Sequence, residues 1–156
     1  MNKKLFYFDL EETVIQSFND PIFCNENVIE FFIEKNSITE IGIFSAAIIN
    51  EDHKNYFIVH MLKGIEKRFN IKINQDRIVP MEQVSSLYKN KNGVFVDVWE
   101  MLSLYGKDGA FHYYCNTVHN NNLTCILLDD AFENITINNH KRRLITKIVN
   151  IKELKV

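Results

Sequence analysis

Phe6-Tyr7-Phe8-Asp9-Leu10-Glu11-Glu12-Thr13-Val14 decides the fold of this chain. Lys4–Phe8 is apolar, aromatic and too short for a helix, which predicts a buried strand. The strand runs straight into three acidic side chains, Asp9, Glu11 and Glu12. The same design recurs at Thr124–Leu128, which ends on Asp129-Asp130. A third instance is Glu40–Ser45, where Ile41-Gly42-Ile43-Phe44 ends on a hydroxyl.

The intervening segments read as helices. Asn27–Lys35 carries Val28, Ile29, Phe31 and Phe32, with Asn25 or Asn27 near its N-cap. Asn50–Phe69 keeps one apolar face through Phe57, Ile58, Met61, Leu62, Ile65 and Phe69. Arg77–Val79 predicts a strand stopped by Pro80, and Glu82–Tyr88 a short helix. Asn90–Gly93 is a turn signal ahead of an expected strand over Val94–Val98. Trp99–Tyr105 and Gly109–Val118 read as helix broken at Gly106, and His119–Asn122 as loop. Ile135–His140 is expected to be a short helix before a last strand, Arg143–Val149.

Strands alternating with helices imply an α/β fold: a mainly parallel sheet with helices on both faces, Rossmann-like in class. At 156 residues this suits a single domain, with room for a small insertion around residues 80–98. Hydrophobic residues make up 46% and charged residues 24%, enough apolar content for an ordinary core. A formal net charge of -2 excludes a protein that coats nucleic acid by bulk charge. No apolar run spans a bilayer, and Asp9 interrupts any h-region behind the basic start, so a cytoplasmic chain is expected. Cys24, Cys115 and Cys125 are odd in number and form no CxxC pair, which predicts reduced structural thiols. His53, His60, His112, His119 and His140 are scattered, and no zinc site is expected from them.

Ligands in open α/β sheets bind beyond the carboxyl ends of the strands. If the three strands are neighbours, Asp9, Glu11, Asp129, Asp130 and Ser45 converge there. Carboxylates in that number repel one another and need a cation, and all-oxygen ligands suit Mg²⁺. A carboxylate nucleophile facing such a metal suits phosphoryl transfer. Asp9 would attack phosphorus and Glu11 would serve as general acid, then base. Ser45 and the backbone N–H groups around Ala46 and Ala47 would hold phosphate oxygens; Ser45 as a helix N-cap is the plainer reading. Lys107, between two helices, would reach the nucleophile and the phosphate.

These stretches resemble the four motifs of the haloacid dehalogenase (HAD) superfamily. Phe6–Val14 is similar to motif I, an apolar strand followed by Asp-x-Asp-x-Thr/Val, and Ile41–Ser45 to motif II. Gly106-Lys107 with Ala110-Phe111 is similar to motif III, where Lys63, Lys67, Lys89 and Lys91 compete with Lys107. Cys125–Asn134 is similar to motif IV in its Asp-Asp-x-x-x-Asn form. The resemblance implies a HAD-type three-layer sandwich, Mg²⁺ and phosphatase activity. It makes Asp9 the nucleophile and Asp130 a direct metal ligand. The Glu11 carbonyl would face the metal, with Asp129 and Asn134 in support. Glu11 departs from the family's phosphatases, which have Asp there.

Leu10–Asn25 is too short to house a large cap, so an open, minimally capped site is expected. Such a site suits large phosphorylated substrates: a nucleotide or nucleic-acid end is favoured over a phosphoprotein. A catalytically weak regulatory or binding protein, and a phosphotransferase, are the alternatives. His140-Lys141-Arg142-Arg143 reads as a solvated loop or as an anchor for a polyanion. Phe111, Tyr113, Tyr114 and Trp99 are expected to pack in the interior rather than stack on bases.

Overall fold

The computed structural model describes residues 3–92, 96–130 and 133–155. A six-stranded, mostly parallel sheet runs in the order β3-β2-β1-β4-β6-β5. Its strands are β1 (Lys3–Phe8), β2 (Glu40–Phe44), β3 (Lys72–Val79), β4 (Leu123–Asp129), β5 (Ile135–Asn139) and β6 (Leu144–Asn150). Only the edge pair β5–β6 is antiparallel. The class is therefore α/β, as the alternation of elements implied.

Side-chain alternation along the strands separates two cores. Phe6, Phe8, Ile41, Ile43, Ile126 and Leu128 pack with α1 (Glu26–Lys35), α2 (Glu51–His60) and α3 (Leu62–Phe69). Tyr7, Phe44, Val79, Cys125 and Leu127 pack with α4 (Met81–Asn92) and α5 (Val98–Val118). Phe111 and Tyr114 of α5 are buried there, as expected.

Gly42 is level with Tyr7 across the β1–β2 pair, and its bare Cα is what admits the Tyr7 ring. A Cβ at Gly42 would sit 2.7 Å from the Arg77 carbonyl oxygen and 2.7 Å from two Tyr7 ring carbons. The carbonyl belongs to a paired strand and cannot yield cheaply. Gly42→Ala is expected to destabilise the protein by about 1–3 kcal/mol, the usual cost of overpacking. Urea unfolding measures it, and a change within about 0.5 kcal/mol would show that the sheet gives way.

Several elements differ from the sequence reading. Ile135–Asn139 is a strand, not a helix: Ile135 and Ile137 alternate with exposed Thr136 and Asn138, and β-branched residues favour a pleated edge. Asn50–Phe69 is two helices, re-aimed at Met61 (φ −126°, ψ −33°), so that Leu62, Ile65 and Phe69 face the core. Helix α4 continues through Asn90–Asn92, where a turn was expected. The expected strand over Val94–Val98 falls partly on residues 93–95, outside the described residues. Val96 and Asp97 form no strand, and Val98 opens α5 because the Asp97 carboxylate accepts from Glu100 N–H as its N-cap. Gly106 breaks α5 where expected, at φ 71° and ψ 168°. Trp99 is not a packing residue: it is 68% exposed on the first turn of α5.

Candidate functional site

The site forms where β1 and β4 end side by side. Phe8 is level with Leu128, and Asp9 N–H donates to the Leu128 carbonyl at 2.9 Å. Asp9 and Asp129 thus leave adjacent parallel strands at the same level, towards α5. The Gly106 break starts a new helical segment there, and Lys107 stands on its first turn. Lys107 Nζ lies 2.7 Å from Asp9 Oδ1 and 2.8 Å from Asp129 Oδ2. Thr13 Oγ1 donates to Asp9 Oδ2 at 3.0 Å, so both Asp9 carboxylate oxygens are oriented. Asp9, Asp129 and Thr13 are buried. Of the other lysines weighed, Lys63 and Lys67 are exposed on α3, and the side chains of Lys89 and Lys91 lie outside the described residues.

Thr13 reaches Asp9 because the chain folds into one tight turn after β1. The Leu10 carbonyl accepts from Thr13, Val14 and Ile15 N–H groups, and Glu12 adopts φ 65°. A small hairpin follows, with Ile15 paired to Phe23 and Gln16 N–H donating to the Ile22 carbonyl. Asn25 closes it by donating from its amide to the Glu12 and Thr13 carbonyls. Asn25 is the residue ahead of α1, yet its side chain makes no cap bond, because it is spent on this loop.

Glu11 is half-buried, and its Oε2 accepts from Phe18 N–H at 2.9 Å, which fixes the side chain against the hairpin. Ser45 is buried one residue beyond β2. It does not cap α2, whose N-cap is Asn50 accepting from His53 N–H. Ser45 Oγ accepts from Ala47 N–H at 3.2 Å, and its carbonyl accepts from Ile48 N–H at 3.1 Å, so the chain turns around it beside half-buried Ala46. That use takes one lone pair of the hydroxyl and leaves its proton for another acceptor. Asn134 is exposed just before β5, and its Oδ1 accepts from Asn150 N–H at 2.7 Å, tying this segment to the end of β6.

Asp9, Asp129 and Asp130 bring carboxylate oxygens within 4.8 Å of one another. Ionised, they carry three negative charges against the one positive charge of Lys107. Burial first, with Asp129 nearby, pushes Asp9 up to about 6 despite Lys107. Burial, hydrogen bonds to Asp129 and Glu12, and the charge of Asp9 push Asp130 up to about 7. Asp129 ends below the usual carboxylate range: burial raises it, but the Lys107 charge and a side-chain hydrogen bond with Asp130 outweigh that. Burial lowers Lys107, but the two carboxylates outweigh it, so its ammonium is held. A divalent cation bound through oxygen would relieve this excess of negative charge, and the donor set fits Mg²⁺. Glu11 is outside this three-carboxylate group.

The basic segment before β6 resolves partly into structure. Arg142 donates to the carbonyls of Asn116 and His119 at the end of α5, and to Asn121 Oδ1 at 2.9 Å. Its guanidinium closes a helix end. A second cluster, Cys115, His119 and Cys125, was not legible from spacing, because only the α5–β4 packing brings the three together.

No family model, curated protein or solved structure matches this chain. No helix among the described residues is long and apolar enough to cross a membrane.

The raised carboxyls give a signed pH dependence. Groups held above their ordinary pKa contribute stability below about pH 4, and it is lost as pH rises through about 6 to 7. Mg²⁺ competes with those protons. The rise in Tm caused by Mg²⁺ over EDTA is therefore expected to be larger near pH 8 than near about pH 5.5. Asp129 and Lys107 do not titrate in that window, and histidine effects are common to both arms. A Tm rise independent of pH would contradict this assignment.

Proposed function

We propose that the chain is a Mg²⁺-dependent phosphomonoester hydrolase of HAD type, working through an aspartyl-phosphate on Asp9. The observation that carries this reading is the Lys107 ammonium bridging Asp9 and Asp129 at adjacent strand ends, with Asp130 alongside. A structural ion pair needs one carboxylate, whereas two carboxylates on one lysine with a third beside them form a centre that invites a cation and a phosphate. Asp9, Asp129 and Asp130 would hold Mg²⁺, with the Glu11 carbonyl facing it. When bound, the ion supplies charge neutralisation for the phosphoryl oxygens.

The residues act in two steps. An Asp9 oxygen attacks phosphorus as the ester P–O bond breaks, and Glu11 gives its proton to the departing oxygen. Glu11 then takes a proton from water. That water attacks phosphorus, the Asp9–phosphate bond breaks, and inorganic phosphate leaves with Asp9 regenerated. Lys107 holds the nucleophile and offsets charge on the transferring group. Ser45 and the N–H groups at Ala46 and Ala47 receive phosphate oxygens.

The compact Leu10–Asn25 hairpin supports an open entrance, which suits a nucleotide or a nucleic-acid end. Phosphate release tests the reading over an aryl phosphate, 3′- and 5′-mononucleotides, end-phosphorylated oligonucleotides and a phosphopeptide, with Mg²⁺ and with EDTA. Mg²⁺-dependent release supports it, and the best substrate names the branch. No release from a folded, Mg²⁺-binding protein would favour the regulatory alternative.

Glu11→Gln separates the two steps. The amide oxygen still accepts from Phe18 N–H but carries no exchangeable acid proton. Turnover is expected to fall by about 10²–10⁴-fold, with phosphoenzyme accumulating where the leaving group needs no acid. Unchanged steady-state turnover would remove Glu11 from the mechanism.

A further inference from the structure

We propose that Cys115, His119 and Cys125 form a binding site for a thiophilic d¹⁰ cation, Zn²⁺ or Cu⁺, on the face of the sheet that carries α4 and α5. The inference is independent of the phosphatase reading. His119 is the C-cap of α5, and its N–H donates to the Cys115 carbonyl at 3.1 Å, which brings it one turn beyond Cys115. Cys125 rises from β4 beneath them. One ligand atom from each lies within 4.8 Å of the other two. Thiolates around a tetrahedral Zn²⁺ sit about 3.8 Å apart, given Zn–S bonds of about 2.3 Å, so small rotamer changes close the set.

The surroundings fit a ligating imidazole. Tyr7 Oη lies 2.7 Å from His119 Nε2. In the tautomer that donates from Nε2 to the Tyr7 oxygen, Nδ1 keeps its lone pair for a metal. A ring nitrogen fixed by an outer partner is the usual arrangement at metal-bound histidine. Tyr7, Cys115 and Cys125 are buried, while His119 is half-exposed and offers the way in.

Charge also favours occupancy. Binding releases two thiol protons, so the centre is neutral with Zn²⁺ and carries one negative charge with Cu⁺. Arg77 is close: its guanidinium lies 5.3 Å from the Tyr7 ring centroid, pairs with Glu40 through Nη2 at 3.0 Å, and has Nη1 buried without a partner. A cationic neighbour with an unused donor suits a thiolate-metal centre of zero or negative charge. Soft sulfur ligands select these ions over Mg²⁺, which the carboxylate site takes.

The probes are Co²⁺, Zn²⁺ and Cu⁺, added to the reduced full chain under anaerobic conditions. Co²⁺ is expected to give a near-ultraviolet thiolate charge-transfer band, which a carboxylate site cannot produce. One equivalent of Zn²⁺ or Cu⁺ should abolish it. Displacement by Zn²⁺ identifies a four-ligand site completed by water or Tyr7, and displacement by Cu⁺ alone a three-ligand one. Cys115→Ser and Cys125→Ser should each lose the band. His119→Gln, at a half-exposed position with less risk to folding, should weaken binding by tenfold or more, and Tyr7→Phe by about 10–100-fold through loss of the outer partner. The proposal is overturned if no band forms, if the band survives both serine variants, or if the reduced protein binds none of the three ions.

Discussion

Asp9→Asn is expected to lower Mg²⁺-dependent phosphate release by about 10⁴-fold or more, with the fold intact. The amide has the size and shape of the carboxylate but no charge with which to attack phosphorus. Its oxygen can still accept from Lys107, where Oδ1 now lies 2.7 Å away, and its NH₂ can donate to Thr13 Oγ1 in place of the present 3.0 Å bond. Removing one of three crowded carboxylates also relieves repulsion, so the metal-free variant should melt no lower than wild type. Phosphate release and thermal unfolding on the same samples separate the two effects. A folded variant that keeps more than about a tenth of wild-type turnover would exclude Asp9 as nucleophile. A variant that fails to fold would instead point to a structural role, and trapping of labelled phosphate on the wild-type chain would then decide.

The chain made much of this site readable, and the reasons lie in particular residues. Buried strands are short and apolar, so Phe6–Phe8, Ile41–Phe44 and Cys125–Leu128 stand out, and the acids behind them mark the carboxyl ends. Gly106 announced the break in α5, because a backbone at φ 71° is costly for other residues. Edge structure was less legible. Ile135–Asn139 is half-exposed, its alternation spans only five residues, and its strand character comes from pairing with β6. The split at Met61 has no glycine or proline to signal it. Side-chain placement beyond the strand ends was legible as residue type alone. Lys107 was singled out by its position before the β4 strand, but its 2.7 and 2.8 Å contacts depend on how α5 lies over the sheet. The use of Arg142 to close α5 is a contact between distant segments, which no local pattern encodes; the grip of Phe18 on Glu11 is made within one hairpin and depends on how that hairpin turns.

Hydrogen bonds within residues 10–25 hold the loop after β1 in shape. Leu10 receives three backbone N–H groups, Asn25 clamps Glu12 and Thr13, and Phe18 N–H holds Glu11. Glu11 is one methylene longer than aspartate and has more rotamers to lose, and the Phe18 bond removes that freedom. On the proposed mechanism, the same hairpin would hold the proton donor in place.

Lys107→Met should be the second large effect, and it should be conditional on metal. Methionine keeps the length of the stem but leaves Asp9 and Asp129 buried without their shared cation. Breaking a buried ion pair from one side costs about 3–5 kcal/mol. Lys107 is about a quarter exposed, at 23% of its side chain, so the lower end of that range is expected in EDTA. Protonation of Asp9 would absorb part of the cost, so the loss should be smaller near about pH 5 than near about pH 8. Mg²⁺ replaces the missing charge on the carboxylates and should restore much of the stability without restoring turnover, because no ammonium then faces the phosphoryl group. Unfolding in urea with Mg²⁺ and with EDTA, beside phosphate release, tests each part. Equal destabilisation in both media would mean that Lys107 supports the fold independently of the carboxylate centre. Full turnover in the variant would show that the phosphate is neutralised elsewhere.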